Sequence, residues 1–83
     1  MPNGLSNWSY RDVIKFLKDF EFTFYKYKFG SHEAWISSDK KNIVEVNVIK
    51  NSESYPELTL KTMIRQSGLS QKEWRKWSTR GKK

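Results

Sequence analysis

A single histidine, His32, is the residue of this chain best suited to proton transfer, and it follows Gly30 and Ser31 directly. Imidazole is the one side chain whose unperturbed pKa, about 6.5, lies close to neutral pH. RNA carries its own nucleophile, the 2′-OH, so its cleavage without a metal needs a proton acceptor, a proton donor and cations on the phosphate. His32 with lysine or tyrosine partners can meet that minimum. The alternative is a surface histidine that only forms hydrogen bonds.

Two lysines precede the histidine on a segment that reads as a strand. Lys26 and Lys28 are separated from His32 by even numbers of residues, and a glycine turn lies between. Strand residues alternate between two faces, so the lysines are expected on one face together with Phe24. The same alternation predicts the two neighbouring tyrosines on the opposite face. A glycine in the turn allows another backbone, or a phosphate, to approach closely.

A second basic pair lies in a predicted helix. Lys61 and Arg65 are four residues apart, so they are neighbours on the helix surface. Like charges at this spacing cost a few tenths of a kcal/mol, and a bound phosphate would reverse that cost. The alternative is a solvated helix face.

The positive charge of the chain is unevenly distributed. The net charge is +7, from 16 lysines and arginines against 9 acidic residues. Residues 1–57 contain eight of each sign, whereas residues 58–83 contain eight basic residues against Glu73 alone. Such asymmetry indicates an anionic partner, and nucleic acid is the commonest one. For the last few residues, a solvated basic tail is the alternative.

Near the end of the chain, Trp74 and Trp77 flank two basic residues, Arg75 and Lys76. Aromatic and basic residues mixed in this way are typical of nucleic-acid binders. Three-residue spacing on a capped helix is also what a stripe covering the core requires, and that is the interpretation we favour.

Hydrophobic periodicity predicts the elements that would position these residues. Ser9 is a suitable N-cap for an amphipathic helix over 10–19. The period then changes from 3.6 to two, which predicts three strands before two further helices. We expect strands at 21–29, 32–36 and 43–49, a second helix with Thr59 as its N-cap and Gly68 at its end, and a short third helix after Ser70. This order predicts an α+β fold, α-β-β-β-α with a short extra C-terminal helix, in which the helices cover one face of a three-stranded antiparallel sheet.

Composition argues against several classes of function. The chain has no cysteine and one histidine, which excludes disulfide scaffolds and thiol catalysis and disfavours zinc sites, so we expect no metal and no cofactor. No apolar run reaches the roughly 18 residues of a membrane span, and no signal-peptide segment is recognisable. We expect one soluble, cytoplasmic domain over residues 9–78, with residues 1–8 and 79–83 as flexible ends.

Two stretches of the sequence are similar to one known family. Gly30-Ser31-His32, placed after an amphipathic helix and one strand, resembles the Gly-Ser-His motif of the HicA toxins, small bacterial mRNA interferases. Residues 59–70, which read Thr-Leu-Lys-Thr-Met-Ile-Arg-Gln-Ser-Gly-Leu-Ser, resemble the second-helix signature of that family. The similarity extends over residues 9–74, and the two motifs at this spacing are more specific than either alone.

The resemblance implies a double-stranded-RNA-binding-like fold and a toxin of a type II toxin–antitoxin system that cleaves mRNA as a metal-independent endoribonuclease. By the same resemblance, His32 is the catalytic residue, Gly30 and Ser31 shape its turn, and a HicB-type antitoxin neutralises the toxin. The positive charge of residues 58–83 predicts that this antitoxin is acidic, and we expect it to cover the His32 turn. The RNA phosphate ligands are inferred from charge and periodicity instead, and they are Lys26, Lys28, Lys61 and Arg65.

Two other classes of function stay open from the sequence. One is a non-catalytic RNA-binding module of the same fold, in which His32 only forms hydrogen bonds. The other is a basic protein-interaction domain that uses Trp74 and Trp77. An antitoxin would also bury aromatic anchors, for which Trp35, Trp74 and Trp77 are the candidates.

Overall fold

The computed structural model describes residues 4–80, which form an α+β domain with three helices and a three-stranded antiparallel open sheet. The elements are α1 (Tyr10–Asp19), β1 (Thr23–Tyr27), β2 (His32–Ile36), β3 (Ile43–Asn47), α2 (Glu57–Ser67) and α3 (Gln71–Arg80). The strand order is β1-β2-β3, so the predicted order of elements and the antiparallel meander are confirmed. None of the helices within residues 4–80 combines the length and apolar character needed to cross a bilayer.

Helix α1 forms where apolar residues recur with helical period. The Ser9 hydroxyl accepts from the Asp12 backbone N–H, and the Asp12 carboxylate accepts from the Ser9 N–H, which completes a capping box. The helix ends with Glu21 in the left-handed conformation, where Phe22 N–H donates to the Leu17 carbonyl at 2.8 Å. The buried residues of the helix are Val13, Ile14, Phe16 and Leu17.

Strand β2 lies in the middle of the sheet and separates two unlike faces. Trp35 pairs with Val44 across β2 and β3, and cross-strand partners share a face. Together with Val46 they belong to the hydrophobic core that contains α1, and we call this the core face. The opposite face is the open face; its members on β2 and β3 are His32, Ala34, Ile36, Ile43, Glu45 and Asn47, none of which belongs to the core cluster within residues 4–80.

Helix α2 begins three residues earlier than the sequence predicts. It starts at Glu57 with Pro56 in the N-cap position, so the predicted N-cap at Thr59 is wrong. Proline is favourable at a helix start because its φ, −58° here, is close to the helical value and its missing N–H is not needed there. Thr59 therefore lies inside the first turn of α2. Gly68 ends the helix with φ +75°, which confirms the predicted left-handed end.

Helix α3 is ten residues long rather than short, and it packs against the N-terminal segment. Trp8 is fully buried between α1 and α3, with its ring centroid 5.8 Å from Phe16 and 5.2 Å from Trp74. Gly4 N–H also donates to the Ser78 hydroxyl at 3.1 Å. Residues 4–8 thus pack on the domain, although its predicted first residue is Ser9. Of the two predicted flexible ends, residues 1–3 and 81–83 lie outside the described residues.

Candidate nucleic-acid interface

His32 is the first residue of β2 and follows a tight turn formed by residues 29–31. Lys28 N–H donates to the His32 carbonyl at 2.9 Å, and His32 N–H donates to the Phe29 carbonyl at 3.3 Å, which closes the turn. Gly30 has φ +63°, a conformation that costs a non-glycine residue about 1–2 kcal/mol. A Cβ added at Gly30 would meet no atom within 4 Å. The turn therefore needs glycine for its backbone conformation, and the space around it is open to a ligand.

A β-bulge in β1 decides which side chains share the open face with His32. Phe24 pairs with Trp35 and Lys26 pairs with Ala34, so two residues of β1, Tyr25 and Lys26, lie opposite one residue of β2. Phe24 therefore lies on the core face and Lys26 on the open face. The prediction that Phe24 and the lysines share one face is wrong, because strict alternation is interrupted by the bulge.

Lys28 lies on the open face as well, because its Nζ is 3.5 Å from the Glu45 carboxylate, and Glu45 belongs to that face. Lys26 and Lys28 are both exposed. The structure thus brings together three of the residues singled out from the sequence, Lys26, Lys28 and His32, on one surface.

His32 also borders a surface cavity of about 340 Å³ between the open face and α2. The cavity exists because α2 runs along the outer edge of β3, where the Gln66 side chain accepts from the Glu45 backbone N–H at 2.9 Å. This bond satisfies a donor that an edge strand would otherwise leave unpaired. The other lining residues are Glu45, Asn47, Thr59, Thr62, Met63 and Gln66.

Two polar contacts organise this cavity. The Ser31 hydroxyl donates to Asn47 Oδ1 at 3.2 Å, and Asn47 is the cross-strand partner of His32. Since the amide oxygen is engaged, the Asn47 NH₂ group remains available as a donor next to the imidazole. Ser31 therefore shapes the site by orienting Asn47. The buried Tyr55 hydroxyl donates to the Asn47 carbonyl from the other side, and burial raises the pKa of Tyr55 so that this donor keeps its proton.

The basic pair on α2 lies apart from this cavity. With 3.6 residues per turn, Lys61 and Arg65 are roughly 100° or more around the helix from the middle of the stripe that contains Thr62 and Gln66. Lys61 forms an ion pair with Glu57 at 3.3 Å. The structure therefore does not bring these two cations together with His32, and their role as phosphate ligands stays a prediction.

Two of the three tryptophans proposed as partner anchors are buried inside the domain. Trp74 is fully buried and stacks on Phe16 with 4.0 Å between ring centroids, and Trp35 is 6% exposed. The preferred interpretation of Trp74 as a core residue is confirmed, so its use as a partner anchor or as a platform for bases is wrong. Trp35 is likewise too buried to be a partner anchor. Trp77 is partly buried, and its indole N–H donates to Asp19 at 2.7 Å.

Comparisons with protein-family models, with curated proteins and with solved structures found no match to this chain. The similarity to HicA toxins therefore rests on the residues quoted for it.

Several residues of the interface are not predicted from the sequence. Thr59, Thr62 and Gln66 reach His32 only through the packing of α2 on β3, and Asn47 reaches it only through the pairing of β2 with β3; no short-range pattern marks them. Glu45 could have been recognised as a cross-strand candidate, because it alternates with valines in β3. The aromatic residues of β1 indicate only a strand when they are read from the sequence, because their exposure depends on the packing of the sheet.

Proposed function

We propose that this protein is a metal-independent endoribonuclease that cleaves mRNA, the toxin of a type II toxin–antitoxin system. The observation that carries the proposal is the open face, where the single histidine lies beside two exposed lysines and a polar cavity. Phosphate binding by cations and proton transfer by imidazole are the two functions that RNA cleavage requires. The resemblance of residues 30–32 and 59–70 to the HicA toxins supports the same assignment.

The cavity supplies a second proton-transfer group, the Glu45 carboxylate. In the proposed reaction Glu45 accepts the proton of the 2′-OH while that oxygen bonds to phosphorus. His32, as imidazolium, gives its proton to the departing 5′-oxygen as the P–O5′ bond breaks. The products are a 2′,3′-cyclic phosphate and a free 5′-hydroxyl. Lys28, 3.5 Å from Glu45, and the Asn47 amide would stabilise the charge that develops on the phosphate oxygens.

The decisive experiment measures cleavage of a labelled single-stranded RNA by wild type and His32→Ala. We expect His32→Ala to lose at least about a hundredfold in rate, the low end for removal of a general acid–base group, while the fold and RNA affinity persist. EDTA should leave the wild type active. A mutant that still cuts, or a wild type that chelation stops, would contradict the proposed mechanism.

Glu45→Gln tests the second group, with Glu73→Gln as the matched control. Glu73 is an exposed carboxylate at the start of α3 and does not line the His32 cavity. We expect Glu45→Gln to lower the rate by about a hundredfold, and Glu73→Gln to leave it unchanged. If the two variants cleave RNA at the same rate, Glu45 is not the proton acceptor, and the proton transfers belong to His32 and to groups other than Glu45.

The non-catalytic RNA-binding module remains the alternative, because the same open face would bind RNA without cutting it. Wild type that binds RNA without cleaving it would favour this alternative. The finer fold assignment, a double-stranded-RNA-binding-like domain, is also part of the proposal; the order of helices and strands supports it.

The partner and location belong to the proposal as well. We infer a cytoplasmic protein neutralised by an acidic HicB-type antitoxin that covers His32. The net charge of +7 supports an acidic partner, because complementary charge accelerates capture. Competition between such a partner and RNA is the direct test of steric cover.

A further inference from the structure

The first strand and the turn after it carry a group of aromatic side chains that the domain does not bury. Four of the nine phenylalanine and tyrosine residues are exposed: Phe24 at 43%, Tyr25 at 51%, Tyr27 at 69% and Phe29 at 80%. All four lie within six consecutive positions that also include Lys26 and Lys28. Small domains need their large apolar residues for the core, so four exposed rings concentrated in one short segment mark a binding surface.

The bulge divides these rings between the two faces of the sheet. Phe24 lies on the core face, where its ring centroid is 5.9 Å from Trp35 and 5.0 Å from Tyr27. Tyr25, the neighbour of Phe24, therefore projects to the open face. Lys26 Nζ lies 5.4 Å from the centroid of the Tyr25 ring, which is consistent with both side chains being on that face.

Phe29 lies in the turn, one residue beyond Lys28 and three before His32. Its carbonyl accepts from His32 N–H at 3.3 Å, so its backbone is tied to the start of β2 while its side chain is the most exposed of the four. With Tyr27 on the core face, the remaining residues of this segment follow in the order Tyr25, Lys26, Lys28 and Phe29, and the Phe29 backbone is hydrogen-bonded to that of His32.

We propose that Tyr25 and Phe29 are stacking platforms for the bases of single-stranded RNA, with the intervening phosphates on Lys26 and Lys28. This inference rests on the proposed ribonuclease function and names its substrate class. A base can stack on an exposed ring only when it is not already stacked and paired in a duplex, so the arrangement selects single strands. A protein partner would have to desolvate Lys26 and the Lys28–Glu45 ion pair, whereas a polynucleotide provides phosphates between successive bases.

The test uses the His32→Ala chain, so that cleavage does not interfere, and a labelled mixed-sequence RNA oligonucleotide, either alone or annealed to its complement. Tyr25→Leu and Phe29→Leu keep an apolar side chain but remove the ring. We expect each to weaken binding of the single strand by at least about fivefold, the low end for loss of one stacked base. Tyr27→Leu is the matched control, because Tyr27 is also an exposed ring but lies on the core face with Phe24; its affinity should change less than about twofold.

We also expect the unmodified His32→Ala chain to bind the duplex at least about tenfold more weakly than the single strand. Equal affinity for duplex and single strand would overturn the proposal, as would ring-removing substitutions that leave RNA affinity unchanged. If those substitutions instead weaken only the binding of an acidic protein partner, the rings form a protein-docking surface and the proposal is wrong. Cleavage by wild type is scored separately, so a chain that binds RNA through these rings without cutting it would reject the nuclease function alone.

Discussion

Glu33 follows His32 in the sequence but serves the other face of the sheet. Its carboxylate is nearly buried and accepts from the Tyr10 hydroxyl at 2.8 Å and from the Trp35 indole N–H at 3.0 Å. Burial, the hydrogen bond to Glu33 and the negative charge of that carboxylate raise the pKa of Tyr10 to about 12. This polar contact fixes α1 against β2, because Tyr10 is the first residue of the helix. Neighbouring residues of one strand therefore have separate roles, one in the site and one in stability.

The raised pKa of Tyr10 predicts a pH-dependent contribution to stability. The unfolded tyrosine ionises with a pKa near 10.0, and the folded one near 12. Between these values the folded state holds more protons, so the contribution is complete below pH 10 and is lost as the pH rises through 12. Tyr10→Phe should lower the free energy of unfolding by about 1–2 kcal/mol at neutral pH. The difference from wild type should narrow as the pH rises from 10 to 12, as urea unfolding can measure.

Tyr25→Phe is the control for this measurement, because Tyr25 is half exposed and lies on the open face away from Glu33. It should match the wild type throughout the pH range. If the free energy of unfolding of Tyr10→Phe stays below that of the wild type by a constant amount up to pH 12, the Tyr10 phenol ionises alike in the folded and unfolded states.

At the scale of elements, the site depends on where α2 lies against β3. Gln66 holds the helix to the strand, and its own carbonyl accepts from Asn42 Nδ2 at 3.5 Å near the end of the helix. Gly68 ends the helix beside that contact, where an added Cβ would lie 2.7 Å from Asn42 Nδ2. The position of the cavity wall therefore depends on a left-handed residue without a side chain.

Two glycines with similar backbone conformation allow the crowding at Gly68 to be measured. Gly30→Ala meets open space at φ +63° and should cost about 1 kcal/mol of folding free energy from backbone strain alone. Gly68→Ala, at φ +75°, has the same strain and also displaces Asn42, so we expect about 2 kcal/mol. Denaturant unfolding of both variants measures the difference.

The additional folding free-energy cost of Gly68→Ala should disappear when the Asn42 side chain is removed. In an Asn42→Ala background, Gly68→Ala should cost about as much as Gly30→Ala does, since only the backbone term remains. If Gly68→Ala still costs more folding free energy than Gly30→Ala in the Asn42→Ala chain, the additional cost comes from the helix end itself.

For the whole molecule, the distribution of cations matters more than their number. The excess of positive charge is in residues 58–83, but the cations that share a face with His32 are Lys26 and Lys28 from the neutral part of the chain. Lys72, Arg75 and Lys76 line a separate surface on α3. Under the proposed function, the basic C-terminal part would accelerate encounter with RNA, while the phosphates at the cleavage site would contact Lys26 and Lys28.

The salt dependence of RNA affinity separates these roles. Each phosphate contact contributes about 0.7 to the slope of log affinity against log salt for a single strand. Lys26→Ala and Lys28→Ala should each flatten the slope by about that amount. The prediction made from sequence for Lys61 and Arg65 requires the same loss for each, whereas their position away from the cavity favours a smaller one.

Lys72→Ala on α3 serves as a control for general loss of charge, because it removes one cation without touching the open face. If the Lys26 and Lys28 variants keep the wild-type slope while those of Lys61 and Arg65 do not, the phosphate site lies on α2 rather than on the open face.

What the sequence by itself determined were the features that depend on neighbours along the chain. Helix α1 and its capping box follow from the spacing of apolar residues and from Ser9 with Asp12. The left-handed end of α2 at Gly68 and the turn at Gly30 follow from glycine, the one residue type that adopts a positive φ without strain. The two-residue alternation of side chains along the chain is also a local feature, and it predicted the three strands and therefore the α+β order of elements.

Only the tertiary structure decided the features that depend on distant residues. The bulge at Tyr25 is a matter of pairing between β1 and β2, and it moved Phe24 away from the lysines. The burial of Trp74 requires Phe16 from α1, 58 positions away in the sequence. The cavity beside His32 requires Gln66 to pair with β3. Side-chain direction follows from pairing and packing between elements, and neither is encoded in the period of a single segment.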